Sequence, residues 1–289
     1  MFAISSYFIL QQSTGNKESR VVNYWNPRLP KFSGIGDFYH GAYGFRLRHE
    51  FGLDQIKRVY QILSTSSETR QVILQIWKPE IDLPAIDGQP VSEDIPCNVM
   101  ALLKIRNGGL HWSQIMRSND VMKGLPYNII QFTMLQEMLA GWLGIEIGDY
   151  IHFSDSFHVY EKDLSKFSCV PIESKSMVNE HFTMSYDESN LLFSLLYDDL
   201  VEVSKGKKRE DELREVFDRE SKKSIGRCEL VKDLMAVIGS DAARRQNYMN
   251  LAYHLVNSCV DVNLRMASYA WLKYQEDKNE HQQNQECFH

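Results

Sequence analysis

No uninterrupted apolar run approaches the roughly 20 residues needed to cross a bilayer, so the chain is not read as membrane-spanning. Paired cysteines are missing as well. The five cysteines, at 97, 169, 228, 259 and 287, are odd in number, widely spaced and without any C-x-x-C, which argues against a disulfide framework and against a zinc site. Each is read as a free thiol, and the question becomes whether one is reactive. Met1 to Leu10 is mildly apolar but has neither a basic n-region nor a small-residue cleavage site, so it is not read as a signal peptide and a cytoplasmic protein is expected. A surplus of positive charge is absent too: the formal net charge is −6, which argues against broad attraction to duplex nucleic acid. A small anion held by a few local arginines remains compatible with that balance. The sequence carries no internal repeat.

What is present is a chain of 289 residues, enough for one large domain or two ordinary ones. Residues 1–40 are irregular in pattern. Leu53 to Leu63 has apolar positions at helical spacing, Val72 to Trp77 reads as a strand, and Lys78 to Glu93, rich in Pro, Asp and Gly, reads as a surface loop. Cys97 to Arg106 and Leu110 to Ser118 are expected strands joined at Asn107-Gly108-Gly109, because Asn and Gly accept the positive φ angles of tight hairpin turns. With Asn107-Gly108 as the loop, counting back from an Arg106 and Gly109 pair places Cys97 opposite Ser118. Other loop choices move the partner to Asn119 or Asp120.

After Pro126 the apolar spacing becomes helical through Leu143, with Asn128 as expected N-cap, Gln131 as its capping-box partner and Gly144 as the stop. Ile145 to Tyr160 reads as mixed strand and loop. Amphipathic spacing then marks helices over Asn190 to Val203, Glu210 to Lys222, Cys228 to Ile238 and Ala242 to Tyr274, with a polar, frayed end from Gln275. The expected fold is α+β, a large mixed or antiparallel sheet backed by helices, followed by a helical C-terminal part. The expected organisation is a divergent N-terminal segment over 1–40, a core over 41–165 and a mainly helical region over 166–289.

The chemistry concentrates between Asp94 and Tyr160. Cys97 at the head of an apolar strand is compatible with a packed core thiol or a nucleophile, and a cation such as Arg117 nearby would raise its thiolate fraction. A buried arginine must in turn be paired with a carboxylate or a bound anion, and Asp120 is one possible partner. His158 and Tyr160, two apart on an extended segment, point to one face, where they can bind a sugar hydroxyl or satisfy each other.

The ordered set Ile95-Pro96-Cys97, Met116-Arg117-Ser118-Asn119-Asp120, Gly124-Leu125-Pro126-Tyr127-Asn128-Ile129 and His158-Val159-Tyr160 resembles the thymidylate synthases and the related pyrimidine hydroxymethylases. Weaker matches are Tyr43-Gly44, Asp54-Gln55, Thr69-Arg70 and Trp77. The resemblance implies one-carbon transfer, methyl or hydroxymethyl, to carbon 5 of a uracil nucleotide such as dUMP, with 5,10-methylenetetrahydrofolate as cofactor and a cytoplasmic homodimer sharing its active sites. It implies Cys97 as the nucleophile toward carbon 6, with Asn98 and Asp120 beside it among the catalytic positions. Arg117 and Ser118 would hold the phosphate, with Arg70 reaching across from the partner subunit. Asn128 would read the base edge, favouring uracil where relatives acting on cytosine tend to have aspartate. His158 and Tyr160 would bind the ribose hydroxyl, and Asp120, Gly124 and Tyr127 would face the folate.

This sequence departs from the family pattern at named places. Asn98 stands where the family has histidine, Ser154-Asp155-Ser156 where it has glycine-glycine-aspartate, Leu47 where a tryptophan lines the folate site, and Gln71 where a second phosphate arginine follows Arg70. The family's catalytic glutamate on an apolar helix has no counterpart, since Glu18 and Glu50, the glutamates before Gly52, lie outside such a context. The apolar C-terminal tail is replaced by the polar run Gln282 to His289. An alternative implied by these losses is a catalytically degenerate protein that still binds a pyrimidine nucleotide.

Overall fold

The computed structural model describes residues 10–33, 36–165, 182–223 and 228–286. After a helical stretch over residues 10–14 come helix α1 (Ser19–Trp25), also within the segment read as irregular, and helix α2 (Gln55–Thr65). The Asp54 carboxylate caps α2 by accepting the Lys57 backbone N–H. Four strands follow: β1 (Val72–Gln75), β2 (Asn98–Arg106), β3 (Gly109–Asp120) and, after helix α3 (Leu125–Leu143), β4 (Glu146–His158). They form one sheet in the order β1-β2-β3-β4, with antiparallel β1/β2 and β2/β3 pairs and a parallel β3/β4 pair. The sheet is therefore mixed, and the fold α+β.

The β2/β3 hairpin turns where the sequence indicates, with Asn107 at φ 53° and Gly108 at φ 77°, and with Arg106 paired to Gly109. A bulge between Asn98 and Met100 then shifts the register by one residue. Cys97 consequently lies opposite Arg117, whose N–H donates to the Cys97 carbonyl at 2.9 Å, and not opposite Ser118. The bulged Val99 carbonyl accepts from both Ile76 and Trp77, a tertiary demand that turn chemistry does not encode.

On the inner face of the sheet Val72, Leu103 and Trp112 form one row and Leu74, Ala101 and Gln114 the next. Helix α3 packs there through Phe132, Leu135 and Leu139, and Gln136 donates to the Leu110 carbonyl. The helix starts earlier than its apparent cap. Gly124 precedes it, Pro126 supplies a preset φ in the first turn, and Asn128 sits a full turn inside, so Asn128 is not the N-cap. Gly144, at φ 64°, ends α3 as expected.

The stretch read as a surface loop also contains a core residue. Asp82 is 1% exposed and bonds Arg46 in a fork at 2.7 and 3.0 Å, with Arg46 itself fully buried. His40 and the Lys78 N–H complete its shell. Burial pushes the Asp82 carboxyl up, but the hydrogen bonds from Arg46, Lys78 and His40 outweigh it and hold the group below the usual carboxylate range.

The described residues up to Leu200 form one compact unit, which includes most of helix α4 (Tyr186–Ser204). In it Tyr186 stacks on Tyr60 at 5.0 Å and meets Trp142 edge-on, while Trp142 donates to Ser189. The described residues from Val201 onward form a second unit, with helices α5 (Glu210–Lys223), α6 (Glu229–Arg245), α7 (Met249–Asn257) and α8 (Val262–Glu286). The single amphipathic stretch expected over Ala242 to Tyr274 is interrupted twice. Asn247, at φ 67°, closes α6, and the buried Asp233 carboxylate accepts the Val260 and Asp261 N–H groups between α7 and α8. The end from Gln275, read as frayed, continues α8 to Glu286. Among the described residues no helix is long and apolar enough to cross a membrane.

Candidate active site

A cavity of about 560 Å³ opens in the first unit at the ends of β3 and β4. Its walls come from Gln11 and Gln12, from α1 and the segment after it (Val22, Asn26, Arg28, Leu29), from Tyr39 and residues 41–44, from Asp94 and Cys97, from the β3 end at 118–120 with Met122 and Lys123 beyond it, from the start of α3, and from His158 and Tyr160. The sheet and helix place these groups. Strand alternation puts Ser118 and Asp120 on the same side, and their β4 partners are Ser156 and His158. Helical spacing puts Tyr127, Asn128 and Gln131 on one face of α3.

Two glycines are required by close approach. A Cβ on Gly44 would lie 2.5 Å from the Gln11 carbonyl, and one on Gly124 would lie 2.5 Å from the Asn119 side-chain oxygen. Larger residues at either position would push the wall segments apart.

Of the residues indicated by sequence, Cys97, Ser118, Asp120, Gly124, Tyr127, Asn128, His158 and Tyr160 all line this cavity. Asn98, Arg117 and Arg70 do not. Asn98 is fully buried on the other side of the bulge, accepting from Gln114 at 2.6 Å. Arg117 extends over the exposed side of the sheet, donating to the carbonyls of Pro96 and Ile95 and lying over the Trp77 ring. Arg70 is exposed just before β1. Glu18 is exposed and Glu50 pairs with Lys78 at 2.9 Å; neither lines the cavity.

The electrostatics are those of a half-dry, amide-rich wall. Burial pushes the Cys97 thiol above its ordinary value, Arg117 pulls it back, and Asp94 pushes it further up. Burial likewise raises Tyr43, with Cys97 and Asp94 adding to the effect. Asn128, 7% exposed, donates through Nδ2 to the Asn119 Oδ1, which leaves its own Oδ1 and second N–H for a ligand. Asp120 uses Oδ1 to accept the Met122 and Lys123 backbone N–H groups, while its Oδ2 is buried without a partner. The Oε1 of Gln12 is likewise buried and unpartnered, its Nε2 being donated to Gln131. Among the described residues no cluster of side chains is arranged to hold a metal ion.

Sequence reasoning missed Asp94, Tyr43, Gln11, Gln12 and Gln131 as wall residues. Tyr43-Gly44 reads as an ordinary turn, and the glutamines carry no spacing signal. Asp94 has one: it lies three positions before Cys97, with the rigid Pro96 between them.

A cysteine and a set of hydrogen-bonding side chains converging on a cavity at the end of a mixed sheet make a candidate small-molecule site. Residues 7–204 match the thymidylate synthase family, and the chain belongs to it. It is 37% identical to a deoxyuridylate hydroxymethyltransferase of Bacillus phage SP01, across 55% of this chain and 45% of that protein. It is 34% identical to the enzyme of the same name from Pseudomonas phage M6, across 53% and 42%. A putative thymidylate synthase of Methanopyrus kandleri is 38% identical, across 43% and 56%. The chain thus spans about half the length of the curated relatives it matches.

Proposed function

We propose that this chain transfers a one-carbon unit, methyl or hydroxymethyl, to carbon 5 of a uracil nucleotide through an adduct between Cys97 and carbon 6. The observation that carries this is the convergence of Cys97, Ser118, Asn128, His158 and Tyr160 on one cavity. Sulfur addition at carbon 6 turns carbon 5 into a nucleophile, which divides a hard substitution into addition, transfer and elimination. The free half of the Asn128 amide suits uracil, accepting from the ring N–H and donating to the adjacent carbonyl, whereas cytosine presents the opposite pattern. The names of the relatives, deoxyuridylate hydroxymethyltransferase and putative thymidylate synthase, support both base and reaction type. The reading of a degenerate nucleotide-binding protein draws no such support from them.

Folate fits the wall formed by Asp120, Gly124 and Tyr127. The partnerless buried Oδ2 of Asp120 is an acceptor waiting for a donor, which a pterin ring edge supplies. Bound 5,10-methylenetetrahydrofolate would supply the one-carbon unit. The protein's part is to hold the nucleotide against Cys97 and to keep the Asp120 carboxylate fixed by the Met122 and Lys123 N–H groups.

A homodimer belongs to the same proposal. The outer face of the sheet presents Ile73, Leu102, Ile151 and Phe153 to solvent, a patch of the kind that marks an interface. Arg70, exposed and outside the cavity of its own chain, would serve the phosphate across such an interface, with Arg117 beside Ser118 serving it within the chain. The free thiols of Cys97 and Cys259 suit a reducing, cytoplasmic setting.

Tritium release from ring-labelled dUMP, with and without methylenetetrahydrofolate, tests the reading. Release by the native chain that is lost in Cys97→Ser is expected. No release, with a melting temperature still raised by dUMP, would instead establish a binding protein. Failure of every pyrimidine nucleotide to bind would end both readings.

A further inference from the structure

Neither Glu18 nor Glu50 lines the cavity, yet a carboxylate does stand in it beside the nucleophile. Asp94 and Cys97 line the same wall, separated in sequence by Ile95 and Pro96. The Asp94 Oδ2 accepts the Gly41 N–H at 2.8 Å, which pins the side chain to the segment beneath. A Cβ on Gly41 would lie 2.8 Å from the Asp94 carbonyl and 3.1 Å from its Oδ1, so the glycine is what lets Asp94 come this close.

Resting on the transferase reading above, we propose that Asp94 is the proton acceptor for Cys97. As the sulfur attacks, the S–H bond breaks and its proton passes to the Asp94 carboxylate, directly or through one water. The S–C6 bond forms, and the π pair of the C5–C6 bond moves onto carbon 5 and the neighbouring carbonyl oxygen. Once that pair has bonded carbon 5 to the one-carbon unit, elimination breaks the C5–H bond: its proton leaves to water, its pair restores the C5–C6 double bond as the S–C6 bond breaks, and the Asp94 carboxyl gives its own proton back to sulfur. The thiol proton is thus borrowed and returned, and the carbon 5 proton is the one released.

Three observations support this assignment. Burial keeps the Cys97 thiol in its protonated form, so attack requires that a proton be taken away. Arg117 cannot do this, being a permanent cation committed to the Pro96 and Ile95 carbonyls. Asp120, the other carboxylate of the wall, is held away by the Met122 and Lys123 N–H groups and does not figure among the groups that shift Cys97. The groups facing the Asp94 and Cys97 pair include Tyr39, Tyr43 and, from β3, Arg117. The two tyrosines are pushed up, so both are neutral at physiological pH.

Asp94→Asn is the decisive variant, because the amide oxygen still accepts from Gly41 while the basicity is gone. Two readouts are compared. Cys97-dependent tritium release from dUMP should fall at least about 100-fold, the usual size of a lost general base. The melting-temperature rise given by dUMP should stay. Alkylation of Cys97 by iodoacetamide at neutral pH, followed on the Cys97 peptide, should become several-fold faster, since a neighbouring anion has been removed. A thiol that gains reactivity while the enzyme loses turnover is the signature of a base; a structural role moves neither in this way. Asp94→Glu should restore part of the release. Release within threefold of the native chain in Asp94→Asn would overturn the proposal. If the native chain shows no Cys97-dependent release, the transferase reading fails, and an unchanged alkylation rate would then overturn the Asp94 assignment separately.

Discussion

On the inner face of the sheet Trp112 is 1% exposed, its ring 6.2 Å from Phe132 and its N–H donated to Gln114. On the outer face Ile151 and Phe153 are 57% and 56% exposed, as though waiting for a cover. Both faces are apolar, but only the inner one is closed by the chain itself. The difference teaches where a single chain is complete. Its apolar core is closed from within, whereas its outer sheet face and the arginines expected to hold phosphate look outward.

The largest way to break that contrast is on the inner face. Trp112→Ala should cost about 3–5 kcal/mol, from lost burial and the cavity left behind. Chemical denaturation of the first unit measures it, and a loss under about 1 kcal/mol would mean that the inner face is not the stabilising one. Asp82→Asn should cost a similar amount near neutral pH, about 3–5 kcal/mol, because Arg46 is left as a buried cation without its partner. The sign with pH follows from the lowered Asp82 carboxyl. Its stabilisation is complete above the ordinary aspartate range near about 4 and is lost as pH falls through the lower folded value. The gap between native and variant should therefore narrow in acid, and urea melts at pH 7 and pH 3 that give the same gap would refute the ion pair as its source.

Arg117 lies between the two faces in character, tied to the loop that carries Cys97 yet open to solvent. Arg117→Ala should weaken dUMP binding about 10- to 100-fold, as expected for losing charge-assisted contacts worth about 1.5–3 kcal/mol. It should also lower the thiolate fraction of Cys97, since Arg117 is the group that pulls that thiol down. Nucleotide titration and thiol alkylation read the two effects separately. Unchanged affinity would remove Arg117 from the phosphate site.

How much of this was legible in the chain follows the range of each interaction. The Asn107-Gly108 turn is local φ chemistry, and it was readable to the residue. The bulge one strand-length away was not, because the Val99 carbonyl answers to Ile76 and Trp77, just past the end of β1. Asn128 looked like an N-cap because asparagine is a good one, but Pro126 had already started α3 and the amide was free to join Asn119 in the cavity. Asp82 sat in a loop rich in turn residues and gave no sign that Arg46 would bury it. Eight of the expected site residues came together because their motifs end strands or begin a helix that meet at one place. The glutamines at 11, 12 and 131 were silent as wall residues, since that meaning is purely tertiary, and Asp94 was signalled only by its place three positions before Cys97.

The smallest effect on the stability of the chain itself should come from the outer face, and it is there that the contrast can be sharpened most. Ile151 and Phe153 stand exposed on one side of β4, Ile151 in line with Ser113, Leu102 and Ile73 across the sheet. Replacing an exposed residue away from caps, turns and packed neighbours usually changes folding stability by no more than about 0.5 kcal/mol. Ile151→Asp with Phe153→Asp should then leave the denaturation midpoint of the first unit nearly unchanged in dilute solution. A second copy covering this face would instead have to bury two carboxylates against apolar surface, so association should be abolished. Sedimentation of native and double-variant chains over a concentration series distinguishes the cases: a native dimer and a folded variant monomer are expected. If Arg70 completes the phosphate site of its neighbour, tritium release should fall with dissociation although no cavity residue has been altered. A native chain that sediments as a monomer, or a double variant that still dimerises, would show that the outer face is covered by something other than its own copy.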